Sequence, residues 1–140
     1  MVSDVTRMGE WSPVCRSCRW DDGEGPWVGA WFTGHNVDDG REWDTHCEVL
    51  AADPGREFAF GVAGTFVRWT YTFATATATD AGRDGAMVTE TWEPLPDLLA
   101  FYAQQYGEGQ VQSTLDARAE TAKLGIAETL TAIKRAAESS

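Results

Sequence analysis

The fold is decided by the stretch Val111–Glu138, VQSTLDARAETAKLGIAETLTAIKRAAE, which has the residue spacing of one long amphipathic helix. Its apolar residues recur at steps of three and four and therefore share one face: Leu115, Ala119, Ala122, Ile126, Leu130, Ile133 and Ala137. A helix with such a face must bury it against another apolar surface, and the preceding sequence offers a sheet. The pattern predicts an α+β domain with a long C-terminal helix across a curved sheet.

Upstream of this helix, the chain alternates apolar and polar residues in segments of strand length. Five strands are predicted: Trp27–Asn36, Glu42–Ala52, Glu57–Val62, Thr65–Thr79 and Ala86–Glu93. Between them lie turn signals rich in aspartate, glycine and proline, the clearest at residues 38–40, 53–55 and 80–85. Strands joined by such short connections form an antiparallel meander.

Two shorter helices complete the prediction. Ser3 and Asp4 are suited to cap a helix that runs to about Glu10. Asp97 is expected to cap a second helix, Leu98–Tyr106. Inside the long final helix, Gly125 costs about 1 kcal/mol relative to alanine. It is either simply tolerated or marks a close neighbour that a side chain would meet, and the second interpretation is favoured. The 140 residues are expected to form a single domain, 1–140.

The composition argues against several classes of partner. A net charge of −11 disfavours nucleic acid and anionic membranes, because both are bound by clustered lysine and arginine. No apolar run reaches the roughly 18 residues of a membrane span, and Ser3, Asp4 and Arg7 stand where a secretory leader would be apolar. There is no Walker loop, no GxGxxG after a strand and no GxSxG, so no cofactor is predicted. The sequence indicates a cytoplasmic protein.

Three cysteines fit a reducing compartment. Cys15 and Cys18 form a CxxC, and Cys47 stands apart. Zinc would need further ligands such as His35 or His46, but His46 and Cys47 point to opposite faces of a strand. A redox CxxC normally opens a helix after a strand, a context that is not predicted here. Structural thiols without a metal are the favoured interpretation, with zinc and redox chemistry as the alternatives.

The candidate ligand site is the space between the concave face of the sheet and the final helix. Its lining candidates are inward-facing aromatic residues of the strands and two helix residues: Trp31, Trp43, Trp69, Tyr71, Phe73, Ile126 and Leu130. The aromatic residues could equally fill a core, because large rings dominate both kinds of surface. The sequence leaves this open, since the relative register of the strands cannot be read from it.

Glu90 is the candidate catalytic residue. It lies two residues from Val88 and from Trp92 and therefore shares their apolar face. An unpaired carboxyl group there would have a raised pKa and could transfer a proton near neutral pH. The alternative is a carboxylate at the rim of the sheet or paired with an arginine. His46 is on the polar face of its strand, where a role in solvent is favoured over catalysis.

The order of elements and several local stretches resemble the START-like helix-grip superfamily (SRPBCC), in its bacterial polyketide cyclase/dehydrase-like branch. SDVTRMGEWSP at 3–13 is similar to the first helical segment of that group, and VGAWFTGHN at 28–36 to its second strand. RWTYTF at 68–73 followed by VTETWE at 88–93 resembles its late hairpin, and GIAETLTAIKRAAE at 125–138 its closing helix. The resemblance implies a sheet wrapped around the helix and a ligand cavity. It implies no single chemistry, because the superfamily includes cyclases, hydrolases, lipid carriers and hormone receptors.

One departure from the family pattern concerns the start of the domain. Members normally begin with a β-strand ahead of the first helix, and here residue 1 already stands at that helix. The sheet is therefore expected to keep an unpaired edge, which a partner, such as a second copy in a homodimer, or rearranged local structure would fill. A sequence that begins late explains the gap equally well.

Three functions follow as hypotheses. The favoured one is binding of a small hydrophobic or aromatic molecule, lipid-like or polyketide-like. The alternative is a polyketide cyclase/dehydratase-like enzyme that uses Glu90 or Tyr71 as acid or base. A third is protein interaction through the open sheet edge.

Overall fold

The computed structural model describes residues 2–23, 25–78 and 83–138 and contains an antiparallel sheet and a long C-terminal helix. The sheet has six strands, and their order across it is their order in the chain. The strands are β1 Cys15–Trp20, β2 Trp31–Asp38, β3 Arg41–Asp53, β4 Glu57–Val62, β5 Val67–Ala78 and β6 Arg83–Pro94. This is the α+β meander with a C-terminal helix that the sequence predicts.

The helices begin and end close to the predicted residues. The C-terminal helix, α2, spans Val111–Glu138, as its periodicity predicts. The helix before it, α1, spans Pro96–Tyr106, but Leu95 occupies its N-cap and Asp97 lies in its first turn. A carboxylate there is still favourable, because it faces the positive end of the helix dipole. Near the N-terminus, Val5–Glu10 forms a 3-10 helix, and Asp4 caps it by accepting a hydrogen bond from the Thr6 N–H.

β1 is a strand that the sequence pattern did not predict. Its pairing with β2 shifts register between Cys15 and Ser17, which is a β-bulge. Strict alternation would place residues three apart on opposite faces, yet the bulge allows both Cys15 and Cys18 to be buried. A polar strand with an irregular register carries no period-two signal. The prediction for β2 also began too early, because Trp27 and Val28 lie in an exposed loop before it.

The other strand predictions hold within a few residues. β4 has its predicted bounds, and β3 and β5 differ from prediction by one or two residues at the ends that are described. β6 begins at Arg83, earlier than predicted. Residues 79–82, which contain part of the predicted turn 80–85 and the end of the predicted strand Thr65–Thr79, lie outside the described residues.

One face of the sheet carries the hydrophobic core. Phe32, Val49 and Phe58 are almost fully buried on it. The Phe32 ring packs edge-on against Trp20, with 5.6 Å between centroids, and against Phe60, with 5.2 Å. Offset and edge-to-face rings of this kind are favoured over stacked sandwiches. The core therefore joins strands that are distant in the chain, and it positions the concave face below α2.

The buried face of α2 agrees in part with the predicted stripe. Its most buried residues are Ala122, Thr129 and Ile133. The predicted stripe residues Leu115, Ile126 and Leu130 are half-buried, and Ala119 and Ala137 are exposed. Ala122 and Ile133 were therefore predicted correctly, whereas the polar Thr129 is more buried than Ile126 and Leu130.

In the described part of the chain, β1 and β6 are the outer strands of the sheet, each paired on one side. The described sheet is thus unclosed, in agreement with the expected unpaired edge. Among the same residues, no helix combines the length and apolar character needed to span a bilayer.

Candidate functional site

A cavity of about 310 Å³ lies between the sheet and α2 and is the candidate site. Residues of the 3-10 helix region, of all six strands and of α2 line it. Its volume is at the lower end of the range for small-molecule pockets, and its lining is mainly apolar with a few polar groups, as in such pockets.

Aromatic side chains form the sheet side of the cavity. Trp43 from β3 and Trp69 and Tyr71 from β5 line it, and all three are predicted lining residues. The register of β5 and β6 places Trp69 opposite Trp92 and Tyr71 opposite Glu90. Trp92 and Glu90 also line the cavity, so β5 and β6 together present three aromatic rings next to the Glu90 carboxyl group.

The structure places two other predicted aromatic residues elsewhere. On β2 it is Phe32, Gly34 and Asn36 that line the cavity, so the alternation puts Trp31 on the outer face. There Trp31 is 38% exposed and packs near Gly64. Phe73 does share the inward face, but it borders a second cavity, of about 380 Å³, nearer the end of α2.

Ile126 and Leu130, the predicted helix residues, border neither cavity and are half-buried beside the lining. The helix side of the main cavity instead consists of residues that repeat at helical spacing: Arg118, Thr121, Ala122, Gly125 and Thr129. Of this set only Ala122 belongs to the predicted apolar stripe, because Arg118, Thr121 and Thr129 are polar. The signal that could have found it was Gly125, the residue in the helix with no side chain.

Gly125 faces open space. A Cβ atom added there would meet no heavy atom within 4 Å, although the residue lines the cavity. The expectation that a side chain would meet a close neighbour is therefore wrong. The glycine keeps the cavity open rather than allowing a tight contact between backbones.

Glu90 and Tyr71 form the chemically distinctive part of the lining. Tyr71 is 4% exposed, and Glu90 is half-buried. Burial raises the pKa of Glu90 to about 7, and a hydrogen bond with Tyr71 opposes that rise. Burial and the neighbouring carboxylate raise the pKa of Tyr71, which keeps the phenol protonated. Among the described residues, Oε1 of Glu90 is a buried oxygen atom without a hydrogen-bond partner.

The arrangement can transfer protons. With a pKa near 7, the Glu90 carboxyl group exists in both forms at neutral pH and can accept or donate a proton. Its unpartnered oxygen can bind a hydroxyl group or an enolisable C–H of a bound molecule. Tyr71 beside it is a permanent donor. Both groups project from rigid paired strands, which fixes their spacing.

Positive charge borders the cavity on the α2 side. Arg118 lines the cavity and also a neighbouring surface pocket that it shares with Arg41 and Trp43. The Arg41 guanidinium lies over the Trp43 ring, 5.7 Å from its centroid. Glu42 also lines this surface pocket and offsets part of its positive charge, so Arg118 is the cation that an anionic group in the cavity would meet.

The histidines lie on the outer face of the sheet. His35 Nδ1 is 2.9 Å from Asp44 Oδ1, and that hydrogen bond raises the pKa of His35. His46 Nδ1 is 3.1 Å from the Thr33 hydroxyl. In the described ranges, no three histidine, cysteine, aspartate or glutamate side chains are arranged to hold a metal ion.

The sequence and the fold both match known proteins. The profile of the family described as polyketide cyclase / dehydrase and lipid transport matches residues 1–138. The chain belongs to this family. A search of curated proteins finds no match. The fold is similar to the solution NMR structure of the polyketide-cyclase-like protein Cgl2372 from Corynebacterium glutamicum, with a TM-score of 0.67 and 42% sequence identity. The match covers 98% of this chain and 80% of that protein.

The family membership agrees with the resemblance found in the sequence. It supports a ligand-binding or cyclase-like role in general terms and names neither a ligand nor a reaction.

Proposed function

We propose that the chain binds a small hydrophobic or aromatic molecule, lipid-like or polyketide-like, in the cavity between the sheet and α2. The observation that carries this proposal is the cavity itself, about 310 Å³ in volume and lined by Trp43, Trp69, Tyr71 and Trp92. Flat rings suit aromatic or conjugated ligands, because stacking adds to the free energy of burial. Arg118 in the lining favours a ligand with an anionic end. A cytoplasmic location stays a prediction from the sequence.

The test uses anilinonaphthalene sulfonate, an aromatic anion whose fluorescence increases in apolar surroundings. Gly125→Phe places a ring in the open space of the cavity, whereas Ala127→Phe adds the same ring on an exposed position of the same helix. We expect the wild-type chain and Ala127→Phe to bind the probe equally, and Gly125→Phe to bind it at least about tenfold more weakly, a change of about 1.4 kcal/mol. Equal binding by all three proteins would contradict the proposal. Circular dichroism establishes that each variant is folded.

The second candidate function is a cyclase/dehydratase-like enzyme, and the Glu90–Tyr71 pair is the observation that favours it. In an intramolecular aldol reaction, the Glu90 carboxylate would remove a proton from carbon next to a ketone. The resulting enolate carbon would attack a second ketone of the same molecule, and the new alkoxide would take a proton from Tyr71 or from the protonated Glu90. Loss of water would then restore a conjugated product.

Glu90→Gln separates the two functions because it keeps the shape of the side chain and removes its acid–base chemistry. The assay follows the absorbance of an aromatic product formed from a synthetic poly-β-keto thioester. An enzyme would lose about a hundredfold or more of its rate on Glu90→Gln, with probe binding unchanged, since general acid–base catalysis contributes roughly that much. If neither protein accelerates cyclisation above buffer while both bind the probe, the enzyme is excluded and binding stands.

A further inference from the structure

Two thiols of the cavity wall lie in direct contact. Sγ of Cys15 is 3.2 Å from Sγ of Cys18, and both residues line the cavity. The bulge between Cys15 and Ser17 makes this contact possible, since residues three apart in a regular strand point to opposite faces. Gly34 on β2 faces both sulfur atoms, and a Cβ atom there would stand 3.4 Å from each.

The surroundings of the two thiols differ. The Cys18 thiol contacts Sδ of Met8 at 3.7 Å, and the Cys15 thiol contacts the Ser17 carbonyl oxygen at 3.4 Å. A hydrogen bond from Cys18 lowers the pKa of Cys15, while the pKa of Cys18 is raised by the same contact and by burial. Cys47 also lines the cavity but makes no sulfur–sulfur contact among the described hydrogen bonds, and burial raises its pKa to about 12. Cys15 is therefore the better nucleophile of the pair, and the Cys18 thiol lies in contact with it.

We infer that Cys15 and Cys18 are a redox-active dithiol, open to the cavity, that a small hydroperoxide oxidises to a disulfide. The Cys15 thiolate attacks one peroxide oxygen, which forms an S–O bond and breaks the O–O bond, and the other oxygen leaves and takes a proton to become water or an alcohol. Cys18 then attacks the sulfur of the Cys15 sulfenic acid, which forms the S–S bond, breaks the S–O bond and releases the sulfenic oxygen as water. With hydrogen peroxide, two thiols lose two electrons and two protons in total, and the peroxide is reduced to two molecules of water.

The sulfur atoms need only a small movement for this step. A disulfide bond is about 2.05 Å long, so the 3.2 Å contact must shorten by roughly 1 Å. The redox role rests on this placement and not on the family, and it does not depend on what the cavity binds. It revises the interpretation of the CxxC as purely structural thiols, because β1 and its bulge were not predicted.

The chain offers a direct readout of this disulfide. Trypsin cleaves after Arg16, between the two cysteines, so Cys15 and Cys18 fall on different peptides, Met8–Arg16 and Ser17–Arg19. Cys47 falls on a third peptide and serves as the internal control. The folded chain is treated with hydrogen peroxide, free thiols are blocked with iodoacetamide, and the digest is analysed by mass spectrometry.

We expect the peptides of Cys15 and Cys18 to become the major cross-linked species and to separate again when dithiothreitol is added. We expect the Cys47 peptide to be recovered with its thiol blocked by iodoacetamide. The same cross-link is expected in Cys47→Ser. Full recovery of blocked Cys15 and Cys18 after peroxide treatment, or oxidation of Cys47 at the same rate as Cys15, would overturn the inference.

A second measurement distinguishes a redox pair from two packed thiols. In Cys18→Ala the hydrogen bond that favours the Cys15 thiolate is gone. The pH dependence of Cys15 alkylation should therefore move to higher pH than in the wild-type chain, and peroxide should leave a sulfenic acid on Cys15 that dimedone traps. An unchanged pH profile would contradict the assigned roles, and the wild-type cross-link remains decisive if the variant does not fold.

Discussion

At the residue scale, the burial of Glu90 beside Tyr71 has a measurable effect on stability. The folded-state pKa of Glu90, about 7, lies above its ordinary value of 4.5. Between these values the folded chain binds more protons than the unfolded chain, so the stability of the wild-type protein falls as pH rises. The stability that the protonated Glu90 contributes is fully lost above the folded-state pKa.

Glu90→Gln removes this dependence. Urea unfolding at about pH 5 and about pH 8 is expected to show that the variant gains stability relative to the wild type, by up to about 3 kcal/mol at the higher pH. The reason is that the neutral amide does not ionise in the buried site. A difference between the two proteins that is the same at both pH values would show that Glu90 has an ordinary pKa.

The face that Glu90 occupies could be predicted from its two-residue spacing to Val88 and Trp92. Its partner could not, because Tyr71 lies on another strand and the register between β5 and β6 depends on the whole hairpin. Trp31 shows the same limit. Two adjacent aromatic residues, Trp31 and Phe32, do not reveal which one faces inward until the pairing of β2 with β3 is known.

At the element scale, two glycines test how closely the elements approach. A Cβ atom on Gly9 would stand 2.2 Å from the backbone carbonyl oxygen of Arg16, where the 3-10 helix crosses β1. Gly9→Ala must therefore push the two elements apart, which we expect to destabilise the fold by about 1–3 kcal/mol, as overpacking does. The free energy of unfolding in urea measures it.

A glycine-to-alanine substitution in α2 should change the free energy of unfolding in the opposite direction. Gly125→Ala meets open space and removes the flexibility of glycine in a helix, so the free energy of unfolding is expected to rise by about 1 kcal/mol. A loss of stability at this position would mean that α2 lies closer to the sheet than the structure places it. Gly9→Ala and Gly125→Ala form a matched pair in one assay.

The elements differ in how far the sequence predicts them. α2 follows from its periodicity alone, and β4 from its turn signals and alternation. β1 does not, because a bulge interrupts its alternation and its outward residues, Arg16 and Arg19, are charged. The cavity-lining face of α2 was also missed, since a helix that bounds a cavity need not present its largest apolar residues to it.

At the scale of the whole molecule, the open edge of β6 predicts association between copies. Unpaired strand edges are templates for pairing, and each copy carries a net charge of −11 that opposes the encounter. Light scattering should therefore show a mass that rises from monomer toward dimer with protein concentration, and more strongly at high salt, because salt screens the repulsion. A monomer at every concentration and salt level would exclude pairing through this edge.

The overall architecture was predictable because long-range amphipathic patterns determine which surfaces must meet. The cavity was not, because its volume depends on side chains that fail to fill the space between sheet and helix. The central claim is that a small aromatic or hydrophobic molecule occupies that space.

The most direct test follows the tryptophan indole N–H signals of ¹⁵N-labelled protein by NMR during titration with anilinonaphthalene sulfonate. The chain contains its own controls, because Trp43, Trp69 and Trp92 line the cavity, whereas Trp31 lies on the outer face and Trp27 in an exposed loop. We predict that the three cavity signals shift and that those of Trp27 and Trp31 do not. Shifts confined to Trp27 or Trp31, or no shifts at all, would contradict the account.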